Sequence, residues 1–228
     1  MDAGSPGQIQ YCPGLFFLLT MWGQKNKLPI VVTDIKHMKE RLLEMVIERS
    51  FLFSSEPSFK LTSGRMSCYY FNLKRITLDP EGMYLVGNIF FDRVKELNPH
   101  AIGGMSFGAD PIAIATSLIS RIEGKSIKAF SVRKERKEHG VEELIEGDVE
   151  PGDRVVIVDD VTTTGTSIIE ACEAARASKL EIVKAIVLID REEGGREAIL
   201  KHVADYEAIL TRSEIMELWN SRRIKDIT

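Results

Sequence analysis

Cysteine and histidine are scarce in this chain, with three and four copies among 228 residues. Cys12, Cys68 and Cys172 are widely separated and odd in number, so no disulfide framework can be read from them. Reduced thiols in a cytoplasmic protein are the expectation. The histidines have no short ligand spacing to one another or to the cysteines, which argues against a zinc site.

The chain also has little of what membrane and nucleic-acid binding require. The apolar stretch at 11–22 has twelve residues, well short of the ~20 that a spanning helix needs, and no basic region precedes it. We expect residues 1–33 to be an extension that packs on the body or on a subunit interface, or is poorly ordered. A formal net charge of −4 gives no general attraction to nucleic acid or to an anionic membrane.

What the chain does have is an alternation of β-branched runs and amphipathic segments. Strands are predicted at 101–105, 126–132, 154–158, 181–189 and 206–210, with helices at 110–122, 167–178 and 195–203. Before them come a helix capped by Asp34, paired short strands within 58–77, and a helix from Pro80 to about Leu97. The pattern predicts an α/β fold, a central parallel sheet flanked by helices, over residues 34–228. Residues 34–98 would form a small N-terminal hood and 99–228 the α/β core.

The segment VVIVDDVTTTGTS at 155–167 carries the strongest functional signal. Two aspartates, Asp159 and Asp160, end the predicted strand, and a threonine-rich loop around Gly165 leads into a helix. Amides at a helix start and loop hydroxyls can hold a phosphate, and glycine permits the turn. Since carboxylates repel phosphate, they are expected to meet neutral hydroxyls or a divalent cation. Each piece alone is common as a capping or strand-end feature; together they predict a sugar 5-phosphate with free 2- and 3-hydroxyls.

Three other classes of site do not fit this sequence. A Walker loop requires spaced glycines that end in Gly-Lys-Ser/Thr, and no such segment exists. The stretch GGMSFG at 103–108 lacks the glycine spacing of a dinucleotide fingerprint. In a phosphoacceptor receiver domain, an aspartate pair lies near the domain start, whereas here it lies past residue 150 and hydroxyl side chains follow it.

The 155–167 segment resembles the phosphoribosyl pyrophosphate (PRPP) signature of type I phosphoribosyltransferases. The resemblance implies that Asp159 and Asp160 contact the ribose hydroxyls and that the loop after them holds the 5-phosphate. The PRPP-binding residues implied on this segment are Asp159, Asp160, Val161, Thr162, Thr163, Thr164, Gly165, Thr166 and Ser167.

A basic segment, RKERKEHG at 133–140, follows the strand predicted to end at Val132. Its glutamates would suit a plain solvated loop, but it is similar to the catalytic loop Arg-Lys-Glu-x-Lys-x-His-Gly of orotate phosphoribosyltransferases. The resemblance implies PRPP or pyrophosphate contacts for Arg133, Lys134, Lys137 and His139. Together with Asp159 and Asp160, the last three would be catalytic, because departing pyrophosphate needs cations and a group that titrates near neutral pH. In that family the loop enters the neighbouring subunit's site, which implies a homodimer with shared active sites.

Two further segments resemble the base-binding side of the same family. LTSGRMSCYYFN at 61–72 is similar to LxSGRxSxYxxN and places Tyr70 and Phe71 at the base or PRPP pocket, although ordinary strand aromatics would look the same. LIDREEGG at 188–195 resembles the family's Asp-Arg segment. It implies that Arg191 binds the carboxylate of orotate, with Thr163 as a polar contact to the base.

Two positions depart from the family pattern. Thr62 stands where some members carry lysine, so that a base-side contact is lost or comes from another residue such as Lys60. Phe107 stands where many members carry lysine in the Gly-rich turn at 103–113. Amides of that turn could still face pyrophosphate, but the strength of pyrophosphate binding is in question.

The resemblance implies orotate phosphoribosyltransfer: orotate and PRPP give orotidine 5-monophosphate and pyrophosphate in pyrimidine synthesis. It also implies Mg²⁺ bound mainly through PRPP, with no direct protein ligand. One alternative is a phosphoribosyltransferase for another nucleobase, which Arg191 argues against. Another is a non-catalytic PRPP-sensing regulator, which the intact basic loop and the lack of a DNA-reading helix pair argue against.

Overall fold

The computed structural model describes residues 34–60, 64, 66–134 and 144–225, which belong to one compact unit. Its helices are α1 (Ile35–Met45), α2 (Lys74–Thr77), α3 (Pro80–Val94), α4 (Asp110–Ile122), α5 (Thr166–Ala177), α6 (Gly195–Ile199) and α7 (Arg212–Lys225). A π-helical turn, Val46–Ser50, continues α1. The strands are β1 (Phe51–Phe53), β2 (Phe59–Lys60), β3 (Met66–Ser67), β4 (Tyr69–Phe71), β5 (Ala101–Met105), β6 (Lys128–Val132), β7 (Ile145–Glu146), β8 (Arg154–Thr162), β9 (Glu181–Asp190) and β10 (Tyr206–Thr211).

Six strands form the central sheet in the order β10-β9-β8-β5-β6-β7. Every neighbouring pair is parallel except β6 and β7, which are antiparallel at one edge. Strands β5 and β8 therefore lie in the middle, and their carboxyl ends open at the same edge. Ligands of parallel sheets bind at that edge.

Alternate residues of β8 pack on opposite faces of the sheet. Val156 and Val158 belong to a core with apolar residues of α1, α3 and α4. Val155 and Ile157 belong to a second core with apolar residues of α5 and α6. Because both faces are covered, the strand reads in the sequence as an unbroken apolar run. The predicted α/β fold, a parallel sheet flanked by helices, is confirmed.

The segment predicted as the hood, residues 34–98, contains α1, the π-helical turn, two small antiparallel ladders, α2 and α3. Strand β1 pairs with β4, with Phe51 opposite Phe71, and β2 pairs with β3, with Phe59 opposite Ser67. The prediction of paired short strands is confirmed for β2 and β3, whereas β4 pairs outside the predicted segment. Residues 61–63 and 65, including Thr62, lie outside the described residues.

Element ends differ from the predictions by three residues or more in three places. Helix α3 ends at Val94 rather than near Leu97, and α6 ends at Ile199 rather than Val203. Strand β8 runs to Thr162 rather than Val158, because its ladder with β9 continues to the pair Thr162 and Asp190. The prediction missed β1, β7 and α7, which are very short or carry polar residues around most of the helix. It was wrong for residues 74–77, which form the short helix α2 and not part of a strand pair. In the described part of the chain, no helix is long and apolar enough to cross a bilayer.

Candidate active site

The two aspartates lie within strand β8 rather than after it. Asp159 is opposite Val187 of β9, and Val161 is opposite Ile189, so the ladder holds both flanks of the acidic pair. The Asp159 side chain is buried, with 6% of the residue exposed, and its Oδ1 accepts from the Asp160 amide at 2.9 Å. The Asp160 side chain is 13% exposed. The strand therefore presents two nearly buried carboxylates at the open edge of the sheet.

Burial dominates the electrostatics of this pair. Burial raises the pKa of Asp159 well above its ordinary value, and the neighbouring Asp160 carboxylate raises it further. Burial also raises the pKa of Asp160, while the ammonium group of Lys74 opposes that rise. The Lys74 Nζ lies 3.9 Å from Asp160 Oδ2. Ionised aspartates here are costly without a partner, so the site favours a ligand that supplies hydroxyl hydrogens or a cation.

The loop after β8 ends at Gly165, which has φ of 86° and precedes the first residue of α5. The first bond across this junction runs from the Ile169 amide to the Gly165 carbonyl at 3.0 Å. The amides of the three residues between them therefore have no acceptor within the helix. No side chain caps the helix, and the Thr164 and Thr166 hydroxyls lie 2.9 Å apart. An anion could be held at this helix start, where the exposed hydroxyl side chains are those of Thr164, Thr166 and Ser167.

A turn after β5 approaches the carboxylates from the neighbouring strand. A Cβ atom at Gly108 would lie 2.6 Å from Asp159 Oδ1 and 2.9 Å from Asp160 Oδ1, so a larger residue there would have to displace the carboxylates. In the same turn, the Ser106 hydroxyl donates to Asp110 Oδ2 at 2.7 Å. Phe107 is 51% exposed and carries no charge toward this edge.

Beside this turn is a cavity of about 610 Å³ that also borders the start of the basic segment. Its lining residues are Ser106, Phe107, Ser131, Arg133, Lys134 and Glu146. Arg133 Nη1 donates to Glu146 Oε1 at 3.0 Å. The predicted Lys137 and His139 lie outside the described residues. The structure thus brings the first two cations of the segment to the same edge as the aspartates.

Arg191 follows β9 and lies directly beside the end of β8. Its amide donates to the Thr162 carbonyl at 3.0 Å, which ties it to the loop that follows. The side chain is buried, with 3% of the residue exposed. Its Nε and Nη2 each lie 3.0 Å from Glu193 Oε1, and Nη2 also donates to the Ser67 hydroxyl at 3.2 Å. Among the described residues, Nη1 has no hydrogen-bond partner.

The aromatic residue that packs on Arg191 is one the sequence reasoning missed. Successive residues of β4 point to opposite sides, so Tyr69 and Phe71 face Arg191 and Tyr70 faces away. The guanidinium carbon lies 4.4 Å from the Tyr69 ring centre and 5.9 Å from that of Phe71. The Tyr69 hydroxyl donates to Glu193 Oε1 at 2.9 Å. The period of two along Tyr69–Phe71 was the signal that could have found Tyr69.

The two aromatics that were predicted have different surroundings. Tyr70 is 40% exposed and stacks on Phe59, with ring centres 6.0 Å apart. Phe71 is buried and packs on Phe51, with ring centres 5.3 Å apart. Phe71 is therefore a core residue that borders the Arg191 cluster, and Tyr70 lies on the other side of the ladder.

Comparison with known proteins places the chain among phosphoribosyltransferases. A family model, the phosphoribosyl transferase domain, matches residues 109–214. An orotate phosphoribosyltransferase of Aquifex aeolicus is 46% identical over 178 residues, which cover 78% of this chain and 97% of that protein.

Solved structures agree with this result. Orotate phosphoribosyltransferase of Mycobacterium tuberculosis in complex with Fe(III) dicitrate aligns with a TM-score of 0.67 at 34% identity, covering 78% of this chain and 98% of that one. The same enzyme in complex with PRPP aligns with a TM-score of 0.64 at 31% identity over the same shares.

Proposed function

Since this chain belongs to the orotate phosphoribosyltransferase family, we propose that it transfers the 5-phosphoribosyl group from PRPP to orotate. The products are orotidine 5-monophosphate and pyrophosphate, a step of pyrimidine synthesis. The observation that carries the proposal is the junction of β8 and β9. There, two nearly buried carboxylates and an uncapped helix start adjoin an arginine whose amide donates to the Thr162 carbonyl at 3.0 Å. One site can thus hold a phosphorylated sugar and an acidic base side by side.

PRPP binds along the segment from Asp159 to Ser167. The amides and hydroxyls of Thr163, Thr164, Gly165, Thr166 and Ser167 surround the 5-phosphate, where the positive end of the α5 dipole also points. Asp159 and Asp160 accept from the ribose hydroxyls, and Val161 and Thr162 position the loop. Mg²⁺ takes about six oxygen ligands, and we propose that PRPP supplies most of them, with no direct ligand from the protein. When bound, Mg²⁺ would neutralise charge on the pyrophosphate.

The basic segment acts on the side of the reacting sugar carbon from which pyrophosphate leaves, opposite the incoming base. As the bond from the sugar to pyrophosphate breaks, positive charge develops on the sugar and negative charge on the leaving group. Arg133, Lys134 and Lys137 stabilise the departing anion, and His139 can neutralise or protonate it.

Orotate is recognised by the cluster around Arg191. The guanidinium is held in place by Glu193, Ser67 and the Tyr69 ring, which leaves Nη1 for the carboxylate of the base. Thr163 adds a polar contact, and Tyr70 and Phe71 belong to the same hood ladder. A rigid arginine fork favours a planar acidic base over a neutral one.

The shared active site implies a homodimer. We propose separately that the protein is cytoplasmic. Three residues on one face of α4 are large, apolar and more than half exposed: Ile114 at 55%, Leu118 at 60% and Ile122 at 68%. A second copy of the chain that covers this stripe would bury it. Among the described residues, Cys68 and Cys172 are free thiols. We retain residues 1–33 as an extension, 34–98 as the hood and 99–228 as the catalytic core.

The test is an absorbance assay with orotate, PRPP and Mg²⁺, run beside adenine, hypoxanthine and uracil. We expect turnover when the base is orotate and none when it is adenine, hypoxanthine or uracil. Turnover with another base but not with orotate would support a phosphoribosyltransferase of different specificity. PRPP binding without turnover of any base would support a regulator.

A further inference from the structure

The Gly-rich turn at 103–113, which contains Phe107, carries no lysine or arginine. This turn abuts the acidic pair, since a Cβ at Gly108 would lie 2.6 Å from Asp159 Oδ1. In the proposed reaction, pyrophosphate must leave on this side of the sugar. A leaving group with several negative charges needs positive groups near it. Among the described residues, a cation from a different element lies beside this turn.

That cation is Lys74, at the start of α2 in the hood. Its Nζ lies 5.6 Å from the centre of the Phe107 ring and 3.9 Å from Asp160 Oδ2. The ammonium group thus lies beside both the turn and the carboxylates. The aromatic ring attracts the cation without binding its protons strongly. Lys74 can therefore keep donors available to a ligand.

The backbone around Lys74 is anchored, while the Lys74 side chain remains accessible. Leu73 and Ile76 are buried, with 2% and 0% of each residue exposed. The Asn72 amide donates to the Ser50 carbonyl at 2.9 Å, which joins this segment to the end of the π-helical turn. The Lys74 side chain is 50% exposed. The backbone at Lys74 is thus held in place, while its half-exposed ammonium group can reach an incoming anion at the cost of ordering one long side chain.

We infer that Lys74 binds the pyrophosphate group of PRPP. It thereby supplies a cation beside the Gly-rich turn, which has none of its own because Phe107 is uncharged. The inference rests on the proposed function, because it places PRPP on the acidic pair. When PRPP binds, its ribose hydroxyls donate to Asp160, and the Lys74 ammonium moves from that carboxylate to the pyrophosphate oxygens. Arg133 would meet the same anion from the cavity on the other side of the turn.

The first experiment compares Lys74→Ala with Arg75→Ala. Arg75 is the next residue of α2 and is exposed, so its substitution removes the same charge from a neighbouring position. In the reverse reaction, Lys74→Ala should raise the KM for pyrophosphate about tenfold, the effect of losing one hydrogen bond to a charged group. The KM for orotidine 5-monophosphate, which lacks the pyrophosphate, should not change. Arg75→Ala should change neither, and Lys74→Arg should keep most of the pyrophosphate affinity.

The second experiment moves the cation back to the turn. The double variant Lys74→Ala/Phe107→Lys should recover most of the pyrophosphate affinity lost in Lys74→Ala. Equal KM increases for pyrophosphate and orotidine 5-monophosphate, or no increase for either, would show that Lys74 only balances the charge of Asp160. Thermal unfolding of each variant checks that it is folded.

Calorimetric titration with pyrophosphate and Mg²⁺ separates this inference from the proposed function. The measurement needs no turnover. Suppose that the wild type converts no orotate, while Lys74→Ala binds pyrophosphate about tenfold more weakly than the wild type does. This result would refute the proposed function and retain the role of Lys74. Normal orotate turnover with unchanged pyrophosphate affinity in Lys74→Ala would refute the role of Lys74 alone.

Discussion

At the scale of single residues, the acidic pair trades stability for binding. Asp159 is 6% exposed, and its pKa is raised because burial disfavours the charged form. A site that keeps such a group gains a ligand contact at the expense of the ligand-free fold.

We predict that Asp159→Asn stabilises the ligand-free protein and nearly abolishes turnover. Asparagine keeps the oxygen that accepts from the Asp160 amide and removes the buried charge. The gain in unfolding free energy should be at least about 1 kcal/mol, the lower range for an uncompensated buried group. Denaturant unfolding and the orotate assay measure the two effects. Asp148→Asn, at a side chain 84% exposed, should change neither.

The raised pKa also predicts a pH dependence. A group whose folded-state pKa is raised contributes stability that is present below its unfolded pKa and lost as the pH rises through the folded value. The stability advantage of Asp159→Asn over the wild type should therefore be largest at neutral pH and shrink as the pH falls toward about 4, the ordinary range for aspartate. Thermal unfolding of both proteins across this window tests it, and a constant difference would contradict it.

Arg191→Lys should raise the KM for orotate about tenfold or more, since lysine keeps the charge but not the planar fork. The KM for PRPP should change little. Arg196→Lys provides a matched control, because Arg196 also packs on an aromatic ring, 5.6 Å from the Tyr206 centre. If orotate affinity is unchanged in a folded Arg191→Lys protein, the arginine serves only to hold Glu193 and the hood.

At the scale of elements, β8, its loop and α5 act as one unit. Gly165 links them with φ of 86°, and a Cβ there would lie 2.9 Å from Ile199 Cγ1 of α6. The position and direction of the helix-start amides thus depend on one residue without a side chain.

Gly165→Ala should cost about 1–2 kcal/mol for the left-handed backbone, with a further cost for the contact with Ile199. PRPP affinity should fall with it, because the loop must shift. Gly152→Ala is the control: φ is 93° there, and a Cβ would have nothing within 4 Å. It should lose similar stability and no PRPP affinity. Calorimetric titration with PRPP measures the affinity of each variant, and thermal unfolding measures its stability. Equal PRPP affinities for Gly165→Ala and Gly152→Ala would count against the phosphate cradle at the start of α5.

At the scale of the whole molecule, the proposed homodimer makes each active site from two chains. The apolar stripe on α4 supplies a surface that a second copy can bury, and the basic segment starts at the open edge of the sheet. A subunit would then lack part of its own site.

Subunit mixing tests this arrangement. Lys134→Ala and Asp159→Asn should each be nearly inactive, and a refolded equimolar mixture should recover about one quarter of wild-type activity. Half of the dimers would be mixed, and each of those would hold one intact site. A mixture without recovery would show that the segment acts within its own chain. Sedimentation of Leu118→Asp, which places a charge on the stripe, should show monomers.

Much of this architecture was readable from local patterns. The strands and helices from Ala101 to Thr211 were predicted in order, because a buried strand and an amphipathic helix each leave their own period in the sequence. Very short elements such as β7 leave no such period. The end of β8 was wrong by four residues, because acidic residues end strands more often than they continue them, and only the ladder with β9 keeps this one going.

The sequence by itself determined the chemistry of the site, since the acidic pair and the phosphate loop are contiguous and their geometry follows from one strand-to-helix junction. Only the tertiary structure decided which side chains arrive from elsewhere. Arg191 meets Ser67 across 124 residues of chain, and Lys74 reaches Asp160 from the hood. Such contacts depend on how separate elements pack on one another, and no local period in the sequence records that.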